Sequence, residues 1–170
     1  MPFCALPAEN RSTRGSSSSQ ILAYEILRLT QKVKPLLSST AQNSFTLVLF
    51  SFGFKHGVPV DAQLLFDVRF LPNPYWEEEL RQMSGYDEAV SSYVVGSRAG
   101  QEFLDLLKPL LGFVIQESRG ALKTELRVGL GCTGGRHRSV AIVESLGVDL
   151  SRTLQQDLQL SVFHRDIDKT

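Results

Sequence analysis

The sequence predicts a single α/β domain whose mostly parallel or mixed sheet is flanked by helices. Short apolar segments rich in β-branched and aromatic residues alternate with longer stretches in which apolar residues recur at helical spacing. Strands separated by helices are typical of α/β domains with a largely parallel sheet. The chain of 170 residues is long enough for one such domain and a tail. We assign residues 1–19 to a disordered tail and residues 20–170 to the domain.

The composition is that of an ordinary globular protein and excludes several function classes. Hydrophobic residues make up 42% of the chain and the formal net charge is zero, so nucleic-acid binding would need a local basic patch. The two cysteines, Cys4 and Cys132, favour a reducing compartment, which we expect to be the cytoplasm. The histidines are too scattered for a metal site, and no apolar run reaches the roughly 20 residues of a membrane span. We therefore expect no metal, no cofactor and no membrane association.

The first 19 residues are polar and rich in serine and arginine, which favours a plain disordered tail. An organelle transit peptide stays open as an alternative because Glu9 is the one acidic residue of this segment. The segment lacks the amphipathic pattern of such peptides, however. Apolar residues at helical spacing then predict a helix over Gln20–Leu37 that ends near Pro35.

The next part of the chain is predicted to contain two strands. Phe45–Ser51 is apolar, β-rich and too short for a typical helix, which indicates a buried strand. A glycine-bounded loop (Phe52–Gly57) and a helical or turn segment (Val60–Leu64) precede the second strand, Leu65–Phe70. The two prolines of Leu71–Trp76 exclude a helix across that loop.

The second half continues the alternation of helices and strands. A strong amphipathic pattern predicts a helix over Ala99–Glu117, with a kink or a division into two pieces at Pro109. The other predicted elements are short helices over Glu77–Met83 and Asp87–Val95, a strand over Glu125–Leu130, a helix over Ser139–Leu150 and a last strand over Leu158–Phe163.

The loops that follow the strands are expected to form one composite site. In parallel sheets, ligands bind where loops leave the carboxyl ends of the strands. Residues 51–57, 69–76, 131–139 and 164–169 are such loops, and they are rich in arginine, histidine and glycine. The coincidence of position and composition predicts a shared binding site.

The segment Gly131–Ser139 is the strongest functional signal, because it is a glycine-rich loop that opens a helix. Free backbone N–H groups at a helix N-terminus favour an anion such as phosphate. Hydroxyl and cationic side chains strengthen this prediction; they are Thr133, Arg136, His137, Arg138 and Ser139. The Gly-Lys-Ser/Thr ending of a nucleotide-hydrolysing P-loop is absent from the sequence. We therefore expect an anion-binding loop.

The same loop spells Cys-x5-Arg, which keeps a cysteine-dependent phosphatase open as an alternative. Cys132 would be the nucleophile, activated by the helix N-terminus and nearby cations, and Arg138 would hold the phosphoryl group. Asp61 or Asp67 would act as the general acid. A buried, inert Cys132 is the simpler interpretation, and we expect a binding module more than an enzyme.

Several motifs, in conserved order along the chain, resemble the C-terminal domain of the RapZ/YvcJ proteins. The resemblance covers about residues 45–168. The matching segments are Phe50–Lys55, Phe66–Pro74, Leu80–Asp87, Gly131–Val140 and His164–Asp166.

The resemblance implies a regulatory adapter domain with the fold of a phosphofructokinase half. Such domains bind a small regulatory RNA, present it to an endoribonuclease, self-associate and sense an amino-sugar phosphate, glucosamine 6-phosphate. The family's P-loop belongs to a separate N-terminal domain, so we do not expect nucleotide binding of this domain. A phosphorylated-sugar-binding domain without RNA is a further alternative.

Carried over residue by residue, the resemblance implies the residues of the ligand pocket. The ligand pocket would comprise Thr133, Gly134, Gly135, His137 and Arg138 from the glycine loop, completed by Arg69, Asn73 and Arg165. The candidate RNA contacts are Lys55, Arg136, His164 and Arg165.

Two local features permit more than one interpretation. Asp67 and Arg69 could form a structural ion pair at a strand end or take part in the pocket. Tyr75 and Trp76 could stack on a base or a sugar, or anchor the core or an interface.

Overall fold

The centre of the fold is an apolar strand, β1 (Phe45–Gly53), that is buried along almost its whole length. A computed structural model describes residues 45–153 and 158–169. The predicted tail over residues 1–19 and the predicted helix over Gln20–Leu37 lie outside the described residues. The other strands are β2 (Leu64–Asp67), β3 (Glu125–Cys132) and β4 (Leu158–His164).

The four strands form one sheet in the order β2-β3-β1-β4, and every neighbouring pair runs parallel. The predicted α/β fold is thus confirmed, and in the described residues its sheet is parallel throughout. The register pairs Gly53 with Cys132, Asp67 with Gly131, and Ser51 with His164. The carboxyl ends of the strands therefore meet at one edge of the sheet, where the predicted binding loops emerge.

Three helices flank this sheet: α1 (Glu88–Val95), α2 (Arg98–Gly120) and α3 (Arg138–Thr153). The Ser97 side chain caps α2 by accepting a hydrogen bond from the Gly100 N–H. Pro109 lies inside α2, so the predicted division into two pieces is wrong. A proline inside a helix removes one hydrogen bond and its ring clashes with the preceding turn, which together cost about 3 kcal/mol. Burial of four aliphatic side chains on both sides of the proline offsets this cost; they are Leu104, Leu107, Leu111 and Ile115.

The predicted helix over Glu77–Met83 is wrong, whereas Val60–Leu64, expected as a helix or a turn, forms bends that lead into β2. Glu77–Met83 forms successive turns, and the Arg136 side chain donates hydrogen bonds to the carbonyls of Gln82 and Met83 at its end. The segment Val60–Leu64 is not helical either, because the Gln63 N–H already donates to the Arg127 carbonyl on β3. Conversely, single 3-10 turns occur at Phe54–His56 and Pro74–Trp76, inside predicted loops.

No helix in the described part of the chain is long and apolar enough to cross a membrane. Within residues 45–153 and 158–169, no three His, Cys, Asp or Glu side chains gather as a metal site would require.

Candidate anion-binding site

A cavity of about 780 Å³ opens at the carboxyl edge of the sheet, where the loops after all four strands converge. Its lining is cationic, polar and aromatic, and it includes no Asp or Glu. The lining residues are Lys55, Asn73, Tyr75, Trp76, Arg81, Gln82, Cys132, Thr133, Gly134, Arg136, His137, Arg138 and Lys169. The predicted loops therefore share one concave site.

The glycine loop packs closely against the end of β1. Gly135 has a φ of 78°, a left-handed conformation that favours glycine. Its N–H donates to the Cys132 Sγ at 3.2 Å, and the Ser139 Oγ lies 3.1 Å from the same sulfur. Because Cys132 is 3% exposed and Ser139 is fully buried, these bonds fix the turn from β3 into α3 from inside.

Asp166 follows β4 and binds the end of β1, next to the glycine loop. The Asp166 carboxylate is fully buried and accepts a hydrogen bond from the Gly53 N–H at 2.8 Å. It also pairs with Arg165 at 2.6 Å and with Lys169 at 2.7 Å. Burial by itself would raise the pKa of Asp166, but these hydrogen bonds and charges hold it well below its ordinary value. Asp166 therefore stays ionised and joins the segment after β4 to the end of β1.

Arg138, the first residue of α3, is a buried cation held by neutral groups. Its guanidinium donates to the Arg69 carbonyl at 2.8 Å, to the Leu71 carbonyl at 3.4 Å and to the Thr133 Oγ1 at 3.2 Å. Its Nε is buried and has no partner among the described residues. Since carbonyls do not cancel its charge, Arg138 adds positive potential to the cavity.

The two residues before Arg138 anchor the loop to the segment after β2. Arg136 donates to the carbonyls of Met83 and Gln82 at 3.1 and 2.9 Å. His137 lies 3.2 Å from the Arg81 carbonyl through its Nε2. Burial lowers the pKa of His137, the Arg81 carbonyl opposes that shift, and the cations Arg136 and Arg138 lower the pKa further. The imidazole is therefore neutral at pH 7.

Most cations of the lining have no acidic partner. Lys55, Arg81, Arg136 and Arg138 form no ion pair with any acid among the described residues. Lys169 is the member of the lining that does, through Asp166. The cavity therefore carries a local excess of positive charge although the chain is neutral overall.

Some residues expected at the site lie outside the lining. Arg69 forms an ion pair with Asp67 at 2.6 Å, which is the structural pair considered for this strand end in the sequence analysis. Its guanidinium also lies over the Phe54 ring. The Arg165 side chain pairs with Asp166 and donates a hydrogen bond to the Gly57 carbonyl. Gly135 and Ser139 lie outside the lining and contact the Cys132 sulfur inside the loop.

His164, expected at an RNA contact, has an almost fully buried side chain. Its side chain is 2% exposed and bridges the Ser51 Oγ at 2.8 Å and Glu144 at 2.9 Å. The Tyr86 ring lies edge-on against it, 5.0 Å between centroids. The imidazole thus acts as an internal cross-link between β1, β4 and α3.

The structure adds three residues to the site that sequence reasoning missed. Arg81 and Gln82 line the cavity from the turn that sequence reasoning assigned to a helix, and Lys169 closes it after β4. The signal for Arg81 and Gln82 was weak because neither follows a strand directly. Lys169 belongs to the loop 164–169, whose arginine and histidine give the stronger sequence signal.

The positions of the expected general acid and of the phosphate-binding arginine do not favour a phosphatase mechanism. Asp61 pairs with Arg127 at 2.8 Å and Asp67 with Arg69, and neither acid lines the cavity. The Arg138 guanidinium is engaged by backbone carbonyls. The arrangement is therefore suited to holding an anion more than to attacking one.

Comparison with known proteins agrees with the motifs. The chain is 42% identical over 141 residues to a nucleotide-binding protein of Bacillus cytotoxicus, an alignment covering 83% of this chain and 47% of that protein. Nucleotide-binding proteins of Bacillus thuringiensis and Bacillus mycoides are each 41% identical with the same coverage. The chain thus spans about half the length of the curated relatives it matches. A family model described as the RapZ C-terminal domain matches residues 45–168, and the chain therefore belongs to the RapZ C-terminal domain family.

Proposed function

We propose that this domain is a regulatory binding module that holds a phosphorylated sugar in the cavity and contacts RNA at its rim. The observation that carries the proposal is the acid-free lining, in which four cationic side chains lack an acidic partner among the described residues. Unneutralised cations around a cleft attract an anionic ligand and concentrate it there.

The backbone of the glycine loop supports a phosphate group in this place. The amide N–H groups of Gly134, His137 and Arg138 donate to no acceptor among the described residues. The last of them begins α3, a helix of 16 residues whose N-terminus is its positive end. Amides, the Thr133 hydroxyl and the Lys55 ammonium would together satisfy the oxygens of one phosphoryl group.

The remaining space and its lining favour a polar organic group attached to that phosphate. The cavity of about 780 Å³ is within the usual range for small-molecule sites, roughly 300–1,000 Å³, and is much larger than one phosphate ion. The side-chain amides of Asn73 and Gln82 can hydrogen-bond sugar hydroxyls.

We expect Lys55→Ala to weaken binding of glucosamine 6-phosphate about tenfold, because hydrogen bonds to charged groups contribute roughly 1.5–3 kcal/mol. Lys55 is exposed and its ammonium forms no hydrogen bond or ion pair with any of the described residues, so we expect its removal to leave the fold intact. Isothermal titration calorimetry measures the change. Lys123→Ala, at an exposed lysine outside the lining, is the matched control and should bind like the wild type.

Equal affinities of all three proteins would contradict the proposed site. Hydrolysis of p-nitrophenyl phosphate that disappears in Cys132→Ser would contradict a pure binding role and favour the phosphatase.

The RNA contact is proposed from the exposed cations at the rim, and among them Lys55 has an ammonium group without a hydrogen bond or ion pair to the described residues. We expect RNA affinity to fall as salt rises, with a log–log slope set by the number of neutralised phosphates. In Lys55→Ala that slope should decrease by about one unit. Filter binding at several salt concentrations tests this, with Lys123→Ala as control. An unchanged slope would remove Lys55 from the RNA contact. An endoribonuclease partner and self-association are further parts of the proposal, carried by the family resemblance.

A further inference from the structure

We propose that His137 takes up a proton when an anion enters the cavity, and that the charged imidazole then holds the turn Glu77–Met83 more tightly to the glycine loop. The inference rests on the proposed function, because it requires an anionic ligand in this cavity. It adds a signal that leaves the site: binding depends on pH and changes the stability of an exposed turn.

The backbone position of His137 disfavours a positive charge in the protein alone. His137 directly precedes α3, and its carbonyl accepts a hydrogen bond from the Ala141 N–H at 3.0 Å, so it lies at the positive end of that helix. Its neighbours in sequence are Arg136 and Arg138. Burial of the ring, together with these two cations, lowers the pKa of His137. An anion beside the loop would offset the electrostatic part of this cost.

The hydrogen-bond partners of the ring, in contrast, suit its charged form. Nε2 lies 3.2 Å from the Arg81 carbonyl, and because a carbonyl only accepts, Nε2 carries the proton of the neutral ring. The Met83 carbonyl is a second acceptor beside the imidazole, and both carbonyls favour protonation. A neutral imidazole donates one hydrogen bond and an imidazolium donates two. The added proton therefore binds at Nδ1, in surroundings that already offer acceptors.

The charged groups that reach the cavity from the other elements are cations as well. Lys55 follows β1, Arg81 belongs to the turn before α1, and Lys169 follows β4. Lys169 is paired with Asp166, which does not itself line the cavity. Among the described residues, the lining thus offers no carboxylate to stabilise an imidazolium, and the negative charge comes from the ligand. Because coupling is reciprocal, the anion favours the proton as strongly as the proton favours the anion.

The Arg81 carbonyl transmits the added charge to the turn Glu77–Met83. A hydrogen bond from an ionised donor is roughly twice as strong as one between neutral groups. Arg136 already holds the end of this turn through two of its carbonyls, so His137 strengthens an existing attachment. All residues of the turn except Leu80 are exposed. Occupancy of the cavity therefore changes the rigidity of a surface segment.

Sulfate tests the proton uptake, because it stays doubly charged throughout the range in which histidine titrates. At constant ionic strength, we expect saturating sulfate to raise the titration midpoint of the His137 Cε1–H NMR signal by about one pH unit, a roughly tenfold coupling. His137→Gln identifies the signal by its loss. His56 and His164 lie outside the lining and are internal controls whose signals should not respond. An unchanged His137 midpoint, or an equal shift of all three histidines, would overturn the inference.

The same coupling predicts how sulfate affinity depends on pH. A ligand that raises the pKa of a group takes up a proton on binding, so wild-type affinity should rise about fivefold to tenfold between about pH 8 and pH 6. In His137→Gln this rise should be absent. His56→Gln is the matched control and should keep the wild-type dependence. The slope is the readout, so a variant with lower affinity at every pH still tests the inference. A rise retained in His137→Gln would contradict it.

Hydrogen exchange tests the transmission to the turn. The N–H groups of Leu80, Met83 and Gly85 donate within this segment or to the Arg136 carbonyl. We expect sulfate to slow their exchange several-fold in the wild type and not in His137→Gln. Equal slowing in both proteins would overturn the role of the proton. If sulfate binds without moving the titration of His137, this inference alone fails; if neither sulfate nor phosphate binds, the proposed function fails with it.

Discussion

Asp166→Ala is expected to lower the free energy of unfolding by about 3 kcal/mol, because it removes a buried ionised carboxylate and leaves its hydrogen-bond and ion-pair partners unpaired. The Gly53 N–H would lose its acceptor inside the protein, and Arg165 and Lys169 would lose their counterion. Asp166→Asn should cost less than alanine, since the amide oxygen can still accept from Gly53. Urea denaturation measures both changes. Asp105→Ala, at an exposed aspartate on α2, should change stability by no more than about 0.5 kcal/mol.

The effect of Asp166 should depend on pH in a defined direction. Burial alone would raise the pKa of Asp166, but its hydrogen-bond donors and neighbouring cations hold the folded-state value below the ordinary value of 3.8. A depressed carboxyl pKa contributes stability that is fully present above the unfolded-state pKa and is lost as pH falls towards the folded-state value. The difference between the wild type and Asp166→Ala should therefore be constant above about pH 5 and shrink below about pH 4. A difference independent of pH would show that the carboxylate charge contributes little.

Gly135→Ala is expected to destabilise the fold by about 3 kcal/mol and to abolish anion binding. A left-handed conformation costs a residue with a Cβ about 1–2 kcal/mol. In addition, a Cβ at Gly135 would lie 2.7 Å from the Gly53 N and 3.0 Å from the Asp166 Cβ. Because both neighbours are fixed by their own hydrogen bond, the glycine loop would have to move away from β1.

Gly112→Ala is the matched control for this substitution. Gly112 lies inside α2, and a Cβ there would meet nothing within 4 Å. Alanine should therefore stabilise the helix by about 0.5–1 kcal/mol and leave ligand binding unchanged. Thermal unfolding with and without glucosamine 6-phosphate compares the two variants. Equal behaviour of Gly135→Ala and Gly112→Ala would contradict the role assigned to the turn.

The sequence by itself predicted most of the secondary structure around the sheet and the loops that line the candidate site. Phe45–Ser51, Glu125–Leu130 and Leu158–Phe163 were predicted as strands, and each lies within an observed strand. Short-range periodicity carries this information because burial on a strand or helix face repeats along the chain. The family also followed from the sequence, since its motifs lie on the loops that parallel strands bring to one edge.

Only the tertiary structure decided which polar side chains face the cavity. Arg69 and Arg165 follow strands as expected, yet each turns to a carboxylate two residues or fewer away. Arg138 and His164 are engaged by groups far away in sequence, and Arg81 reaches the site because Arg136 and His137 bind the turn around it. The direction of a side chain depends on these long-range partners, and local sequence patterns do not contain them. The sequence therefore indicated which loop forms the candidate site, and the tertiary contacts decided which cationic side chains line the cavity.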